Sequence, residues 1–372
     1  MTPRRPSSSS PPSRGAAQGR DGLPPAERTF AVVAIALGTT MAVLDGSIAN
    51  VALPTIAREL RIDAAASIWI VNAYQLATTM SLIAFASLGD SIGYRPVYTG
   101  GLVAFTLGSL GCALSHSLLA LALARGFQGF GGAALMSVGP ALYRTIFPNR
   151  MLGTALGISA FVVASSAAAG PTLGGAILAV APWPWLFIVN LPLGAFDALL
   201  AARALPKESG RGGRFDIPSA LLAGPTLALL VIGLDGISRR LAPLAIAALL
   251  LASFVFGFAF VERQRRLPEP MLPLALFGNR RFSLAAATSL CSFGAQGIAY
   301  VALPFLFQSV DGYSPLDSGL LFTPWPIAIA FAAPFAGRLA DRIAAPILAT
   351  VGLGIFALGL VALATLPPHA QP

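Results

Sequence analysis

The sequence predicts an all-α integral membrane protein, and its composition and its pattern of apolar runs are the two observations that predict this class. Of the 372 residues, 56% are hydrophobic and only 10% are charged, and the mean hydropathy is +0.76. A soluble chain of this length needs far more polar surface. The apolar residues lie in about eleven runs, each near the roughly 20 residues with which a helix spans a bilayer. A spanning β-strand needs only about 10 residues of alternating polarity. Spanning strands are excluded because these apolar runs are longer and do not alternate.

A polar N-terminal segment precedes the apolar runs. Residues 1–29 are rich in Ser, Pro, Gly and Arg, contain no apolar run that could serve as a signal peptide, and are expected to form a disordered cytoplasmic tail. The predicted transmembrane helices that follow are 30–56, 67–88, 97–115, 119–143, 153–180, 185–204, 217–234, 242–261, 282–307, 318–337 and 346–366. Their many Gly, Ala and Ser residues allow close approach of helices, so a packed bundle is expected.

The predicted spans form three regions. We expect an N-terminal six-helix bundle over residues 30–204, two linker helices with flanking loops over 205–281, and an incomplete C-terminal bundle over 282–372. The last three spans repeat features of the first three, as in transporters built from duplicated bundles. The repeated features are Ala-Leu-Pro at 52–54 and 302–304, and Ala-Ser-Leu-Gly-Asp at 86–90 beside Gly-Arg-Leu-Ala-Asp at 337–341.

Basic residues predict the orientation of the bundle. Arg residues are concentrated in the tail and in the loops after even-numbered spans, for example at Arg95, Arg150 and Arg265, whereas the opposite side holds few, among them Arg58 and Arg239. By the positive-inside rule, the N-terminus is expected in the cytoplasm. Frequent Arg and Ala with a single Lys are typical of a GC-rich bacterial genome. The predicted location is therefore a bacterial cytoplasmic membrane that the chain crosses many times.

Several function classes lack supporting residues. The net charge of +9 comes from short Arg clusters between apolar runs and gives no continuous basic face, so no nucleic-acid partner is expected. Cys112 and Cys291 lie inside apolar runs and are expected to be small buried hydrophobes, with no disulfide or metal role. The sequence shows no nucleotide-binding loop, metal cluster or catalytic triad, which argues against an enzyme or an ATP-driven pump. We therefore expect no metal and no cofactor, and energy from an ion gradient.

Five motifs occur in order along the first six spans. They are Leu-Asp-Gly-Ser-Ile-Ala-Asn-Val-Ala-Leu-Pro at 44–54, the loop residues Gly89, Asp90, Gly93 and Arg95, Arg-Gly-Phe-Gln-Gly at 125–129, Gly-Pro-Thr-Leu-Gly-Gly at 170–175, and Trp-Pro-Trp-Leu-Phe-Ile-Val-Asn-Leu-Pro-Leu-Gly at 183–194. In these residues the chain resembles the major facilitator superfamily, in its fourteen-span drug/proton antiporter branch. The resemblance implies a major facilitator-type helical bundle in which the last spans of that branch are expected to be missing. Departures from the family pattern are Ala86, Ser91, Tyr94 and Pro184.

The resemblance also implies a function. The implied function is proton-coupled efflux, by antiport, of hydrophobic small molecules or drugs. The expected partners are the lipid bilayer and a small hydrophobic substrate, and the expected energy source is the proton gradient. Two alternatives stay open. One is a dedicated exporter of a single antibiotic or metabolite, and the other is a non-transporting truncated remnant, because the second bundle is incomplete.

Asp45 and Arg125 are the predicted proton-coupling residues. Asp45 lies in the first span, where an unpaired carboxylate costs about 3 kcal/mol or more, so it must pair, face water or bind a proton. Ionisable groups inside a membrane are functional by default, and a static hydrogen bond or salt bridge is the alternative. Arg125 keeps its charge and needs carbonyls, water or an acid beside it; the resemblance associates it with proton coupling, and a structural tie between helices is the alternative. Gln128, one turn on, is expected to share its network.

Two loops are predicted to gate the transporter: Asp90, Gly93 and Arg95 after the second span, and Asp341 and Arg342 after the tenth. Asp90 is expected to reach the N-terminus of a facing helix or a cytoplasmic Arg, in a contact that exists in one conformation and breaks in the other. The alternative is a solvated turn in which Gly93 permits the sharp backbone and Arg95 only sets topology.

The predicted antiporter motif in the fifth span consists of Gly170, Pro171, Gly174 and Gly175. Pro171 is expected to bend the helix, and the glycines are expected to allow close packing against a partner. Simple tight packing, without an antiporter role, is the alternative.

Three polar side chains are predicted substrate contacts: Asn50, Tyr74 and Gln75. Each could instead form a satisfied hydrogen bond between helices. Asp197, nearer the cytoplasmic end of the sixth span, is expected to extend toward water or to cap a helix end.

Overall fold

The computed structural model describes residues 22–207, 210, 215–238, 241–268, 270–272, 274–305, 321 and 324–365. Regular structure in these ranges is helical, without strands, and two short 3₁₀ turns accompany the α-helices. The helices are α1 Pro25–Glu59, α2 Ala64–Ser67, α3 Trp69–Ile92, α4 Tyr94–Ala113, α5 Leu118–Ile146, α6 Leu152–Val180, α7 Trp185–Ile188, α8 Asn190–Ala204, α9 Ile217–Ser238, α10 Pro243–Arg266, α11 Arg280–Phe305, α12 Pro324–Ala340 and α13 Ala345–Ala364. Most of the predicted tail, residues 1–21, lies outside the described residues.

Each of the predicted spans falls on a helix over its described residues, which confirms the all-α membrane class. The sixth span is divided at Val189 into α7 and α8. Among the described residues, eight segments are long and apolar enough to cross a membrane by length and composition alone, and they are α1, α4, α5, α6, α7 with α8, α9, α10 and α13. The other predicted spans are α3, α11 and α12.

The first helix starts inside the predicted tail, at Pro25, five residues before the predicted boundary. Proline is favoured in the first helical turn because its missing N–H would lack a partner there in any case. The backbone N–H of Leu23 donates to the carbonyl oxygen of Ile146 at 2.9 Å, and the Arg28 guanidinium lies 5.2 Å from the centre of the Phe147 ring. The residues just before the membrane are therefore attached to the end of α5.

The first six spans form a packed bundle around α5. Helix α5 contacts α3 and α4 along its length, and α1 packs against α6 and α8. Glycines set the closest approaches: a Cβ on Gly108 of α4 would lie 2.6 Å from the Cα of Gln128, and one on Gly129 would lie 2.6 Å from the carbonyl oxygen of Tyr74. These approaches bring the polar side chains of α3 and α5 into the centre of the bundle.

The later helices attach to this bundle at two places. Helices α9 and α10 pair with each other, and α9 packs against α3. Helix α12 packs against α6, where backbones meet: a Cβ on Gly337 would lie 2.8 Å from the Cα of Gly157.

Large apolar side chains cover much of the outer surface, as expected where helices face lipid; examples are Leu119, Leu123, Phe254 and Phe331. One cysteine departs from its prediction. Cys112 is buried, but Cys291 is exposed, because the described part of α11 has few packing partners.

Candidate functional site

A buried ion pair lies at the centre of the N-terminal bundle, between Asp45 of α1 and Arg125 of α5. Arg125 Nη1 donates to Asp45 Oδ2. Asp45 is 4% exposed and Arg125 is fully buried. The two predicted coupling residues, 80 positions apart in the chain, are therefore in direct contact.

Two amides complete the surroundings of the Asp45 carboxylate. Its Oδ1 atom accepts hydrogen bonds from Gln128 Nε2 at 2.9 Å and from Asn190 Nδ2 at 3.2 Å. Both amides also approach Ser109 Oγ, at 2.8 and 3.4 Å. Gln128 Oε1 in turn accepts from Arg125 Nη1 at 2.7 Å, so the expectation that Gln128 shares the network is confirmed.

Arg125 is also held by a carbonyl and by two aromatic rings. Its Nε donates to the carbonyl oxygen of Ile70 at 3.1 Å. The guanidinium carbon lies 4.4 Å from the centre of the Tyr74 ring and 5.6 Å from that of Phe187, within the range of cation–π attraction. Its Nη2 atom has no hydrogen-bond partner among the described residues. The arginine thus stays in place by contacts that do not all depend on Asp45.

Because the pair is buried, a change in the charge of either residue has a large effect on the stability of the bundle. Removing one partner of a buried ion pair typically costs about 3–5 kcal/mol, because the other charge remains without compensation. A proton on Asp45 would neutralise the carboxylate and compete with Arg125 for it. The arrangement can therefore convert proton binding into a change in the forces between α1 and α5.

Sequence reasoning missed Asn190 and Ser109 as members of the network. Asn190 stands inside an apolar span, and an amide there is itself a signal of an internal polar contact. Ser109 has no such signal, because small residues at helix contacts are common in membrane bundles.

The first predicted gating loop joins α3 to α4 by a sharp turn at Gly93, whose φ of 101° favours glycine. Asp90 accepts a hydrogen bond from the Tyr94 hydroxyl at 2.6 Å, and this described contact is local. Arg95 Nη2 donates to the carbonyl oxygen of Ala202 near the end of α8. Arg95 therefore joins the loop to a neighbouring helix. Among the described residues, no contact of Asp90 with a facing helix N-terminus or a cytoplasmic Arg is seen, so that contact stays a prediction.

The second predicted gating loop makes that contact. Asp341, just after α12, accepts from the backbone N–H of Gly153 at 2.7 Å and from that of Thr154 at 3.1 Å. The hydroxyl of Thr154 also donates to it, at 2.6 Å. Gly153 and Thr154 belong to the first turn of α6, where the helix dipole favours an anion. Arg342 is exposed and lines a cleft of about 490 Å³ between the two helices.

The predicted antiporter motif lies in α6, which remains helical across it. Gly170 faces Ser47 of α1, and a Cβ on Gly174 would lie 3.4 Å from Ile48 Cγ2. Gly175 faces open space. Pro171 is part of the helix, and its side chain is outside what the structure describes. Two of the glycines therefore provide the close packing that was expected, against α1.

The predicted substrate contacts occupy different surroundings. Asn50 is exposed, and its amide donates to the carbonyl of Gly46 in the same helix at 3.0 Å. The buried Tyr74 hydroxyl donates to the Ala42 carbonyl at 3.0 Å. Gln75 lines a small cavity of about 110 Å³ between α3 and α9. Substrate binding by these residues stays a prediction.

The prediction that the side chain of Asp197 extends toward water is wrong, because Asp197 is fully buried. Tyr98 of α4 lies against its carboxyl group, with Gly38 of α1 close by. Burial of a residue near a helix end depends on neighbouring helices, which the local sequence does not reveal.

Comparisons with known proteins give a consistent result. Residues 35–370 match the family described as Major Facilitator Superfamily. The chain is 52% identical over 349 residues to "Uncharacterized transporter YebQ" of Escherichia coli (strain K12), with 93% of this chain and 76% of that protein covered. It is 32% identical to "Riboflavin transporter RibZ" of Clostridioides difficile (strain 630), covering 91% and 74%, and 35% identical to "Multidrug resistance protein Stp" of Mycobacterium tuberculosis (strain ATCC 25618 / H37Rv), covering 89% and 62%.

Solved structures resemble the fold. The proton:xylose symporter XylE matches with a TM-score of 0.56 and 14% identity, over 86% of this chain and 70% of that one. The human organic anion transporter MFSD10 (TETRAN) matches with a TM-score of 0.58 and 18% identity, over 87% and 74%. At these identities the likeness concerns the fold alone.

Proposed function

The chain belongs to the Major Facilitator Superfamily and is a multi-pass membrane transporter rather than an enzyme, and on this premise we propose that it exports hydrophobic small molecules in exchange for protons. The observation that supports the proposal is the buried pair of Asp45 and Arg125, with Gln128 and Asn190 on the same carboxylate. The membrane is the bacterial cytoplasmic membrane, with the N-terminus inside.

The proposed coupling is a competition for the Asp45 carboxylate. When Asp45 is ionised, Arg125 and the two amides hold α1, α5 and α8 together. A proton on Asp45 removes the negative charge and weakens its bond to Arg125, which keeps its charge. The conformation that favours protonated Asp45 then differs from the one that favours the ion pair, and proton binding shifts the population between them. A proton gradient can drive transport through this difference.

The proposed gate is the contact of Asp341 with the first turn of α6. It joins α12 to the N-terminal bundle by hydrogen bonds to a charged acceptor, which are among the stronger ones in proteins. The contact lies at a helix end and is exposed, so a movement of α12 breaks it without exposing a buried charge. Such a contact can favour one of two conformations and be lost in the other.

Two substrate classes follow from the relatives. Stp is named "Multidrug resistance protein Stp", at 35% identity, and a relative of Escherichia coli (strain SMS-3-5 / SECEC) is named "Putative multidrug resistance protein MdtD", at 33% identity, which favours a range of hydrophobic compounds. RibZ is named a riboflavin transporter, which favours a second candidate, dedicated transport of one small molecule.

The proposal is tested in proteoliposomes with an imposed pH gradient. Lipophilic dyes and riboflavin are offered separately to the wild-type chain, to Asp45→Asn and to the control Glu262→Gln. Glu262 is a suitable control because its described ion pair is local, with Arg266 one turn further along at the C-terminal end of α10. We expect gradient-dependent dye movement that Asp45→Asn loses and Glu262→Gln keeps. Movement of riboflavin alone supports the second candidate, and gradient-driven export by Asp45→Asn contradicts the coupling role.

A further inference from the structure

A second carboxyl group is buried in the N-terminal bundle, and the coupling network does not use it. Asp197 of α8 is fully buried, and its Oδ2 atom lies 3.4 Å from the hydroxyl oxygen of Tyr98. Its Oδ1 atom has no hydrogen-bond partner among the described residues. Gly38 makes room for this pair, since a Cβ there would lie 3.0 Å from Asp197 Oδ2.

The available hydrogens indicate the protonation state of this carboxyl group. A phenol carries one hydrogen, and the Tyr98 hydroxyl donates its hydrogen to the Ala34 carbonyl oxygen at 2.8 Å. Tyr98 therefore has none left for Asp197. A hydrogen bond across the 3.4 Å between the two oxygens would therefore need a hydrogen from the carboxyl group, donated to a lone pair of the phenol.

The groups around Asp197 agree with a neutral carboxylic acid at this position. Among the described residues, the titratable group that contacts Asp197 is the phenol of Tyr98 on α4, whose own titratable neighbour is Tyr143 on α5. Helix α1 contributes Gly38 and the Ala34 backbone. Within the described chain, Asp197 forms no ion pair with a basic side chain. An ionised carboxylate buried without a donor or a cation is strongly unfavourable, so such a group retains its proton instead.

The position of Asp197 relates it to Asp45. Along α1, Gly38 and Asp45 are seven residues apart; along α8, Asn190 and Asp197 are also seven apart. Asp45 contacts Asn190, and Gly38 lies against Asp197, so the two helices run antiparallel with two matched contacts. Seven residues of α-helix span roughly 10 Å, so the carboxyl groups lie about two turns apart along one interface.

We propose that Asp197 is a second proton-binding site, occupied in this conformation as a carboxylic acid that donates its hydrogen to Tyr98. The bound ligand is a single proton. It leaves as the O–H bond of the carboxyl group breaks and water accepts it, which requires that α1 and α8 separate enough to admit water and stabilise the carboxylate. The protonation state of Asp197 in this conformation does not depend on the proposed export activity.

Infrared spectroscopy of the purified protein tests this site. The C=O stretch of a protonated carboxyl group is separate from that of a carboxylate and shifts in deuterated buffer, and isotopic labelling of aspartate distinguishes it from glutamate. We expect an aspartate band of this kind at neutral pH in the wild type and in Asp45→Asn. It should be absent in Asp197→Asn, whose amide matches the shape of the neutral acid, and displaced in frequency in Tyr98→Phe, which removes the acceptor.

The outcomes separate this site from the export proposal. Absence of a protonated aspartate band in the wild type at neutral pH overturns the inference, whatever the transport assay shows. A band that survives in Asp197→Asn, or one that vanishes only in Asp45→Asn, also overturns it. If Asp197→Asn does not fold, the isotope-labelled wild type and Tyr98→Phe still decide: a band unaffected by loss of the Tyr98 hydroxyl contradicts the assignment.

Discussion

Asp341 receives both the backbone N–H and the hydroxyl of Thr154, so the end of α12 is joined to the first turn of α6 by one carboxylate. Its counterpart in the internal repeat, Asp90, instead accepts from Tyr94 on its own loop. Two loops of similar sequence therefore make different described contacts in this conformation, and the second is the one that binds the N-terminus of a facing helix.

Asp341→Asn should loosen the contact between α6 and α12. The amide keeps one acceptor but loses the charge that the α6 N-terminus favours, at a cost of about 1 kcal/mol for an exposed group. Spin labels at the exposed positions Leu156 of α6 and Phe331 of α12 would report a broader or longer distance distribution. Asp90→Asn is the matched control and should leave that distribution unchanged. An unaltered distribution in Asp341→Asn would show that packing alone holds the helices.

Asp45→Asn should destabilise the bundle because Arg125 loses its counterion. The expected loss is about 3–5 kcal/mol, and it should be smaller when Arg125→Met is added, since the uncompensated charge is then gone. Unfolding in detergent of the wild type, both single variants and the double variant measures the coupling energy. Additive effects of the two substitutions would contradict a direct interaction.

Gly129→Ala should destabilise the packing of α3 on α5. The added Cβ would lie 2.6 Å from the Tyr74 carbonyl oxygen, which is closer than real contacts allow. Gly126→Ala, three residues earlier in the same helix, is the control, because nothing lies within 4 Å of its Cβ position. Thermal unfolding in detergent should show a lower midpoint for Gly129→Ala alone. Equal midpoints for the two variants would indicate that α3 can shift to accept the methyl group.

The predicted orientation places Arg150 in the cytoplasm and His116 outside, because most basic residues lie on the side of Arg150. Cys291 is exposed, so both native cysteines should first be replaced by Ser. An impermeant thiol reagent added to intact cells should then label His116→Cys and leave Arg150→Cys unlabelled until the membrane is opened. The reverse pattern would invert the topology.

The sequence revealed the ionisable members of the site, since Asp45 and Arg125 stand out inside apolar runs. It did not reveal that they pair, because their contact depends on the packing of α1 against α5, and these two helices are distant in the chain. Asp197 was misjudged for the same reason: its position near the cytoplasmic end of the sixth span suggested exposure, whereas α1 and α4 bury it. The helices themselves were predictable because the bilayer imposes their length and polarity.

The glycine contact between α6 and α12 affects how the second part of the molecule can move. Gly157 and Gly337 bring two backbones together, since a Cβ on Gly157 would lie 2.7 Å from the carbonyl oxygen of Ala333. We expect α12 to tilt about this contact, and the hydrogen bonds of Asp341 beside it oppose the tilt. If this contact is the gate that we propose, hydrogen bonds to one carboxylate at a helix end oppose its opening, and a substitution of that side chain changes the rate of opening without changing the glycine contact.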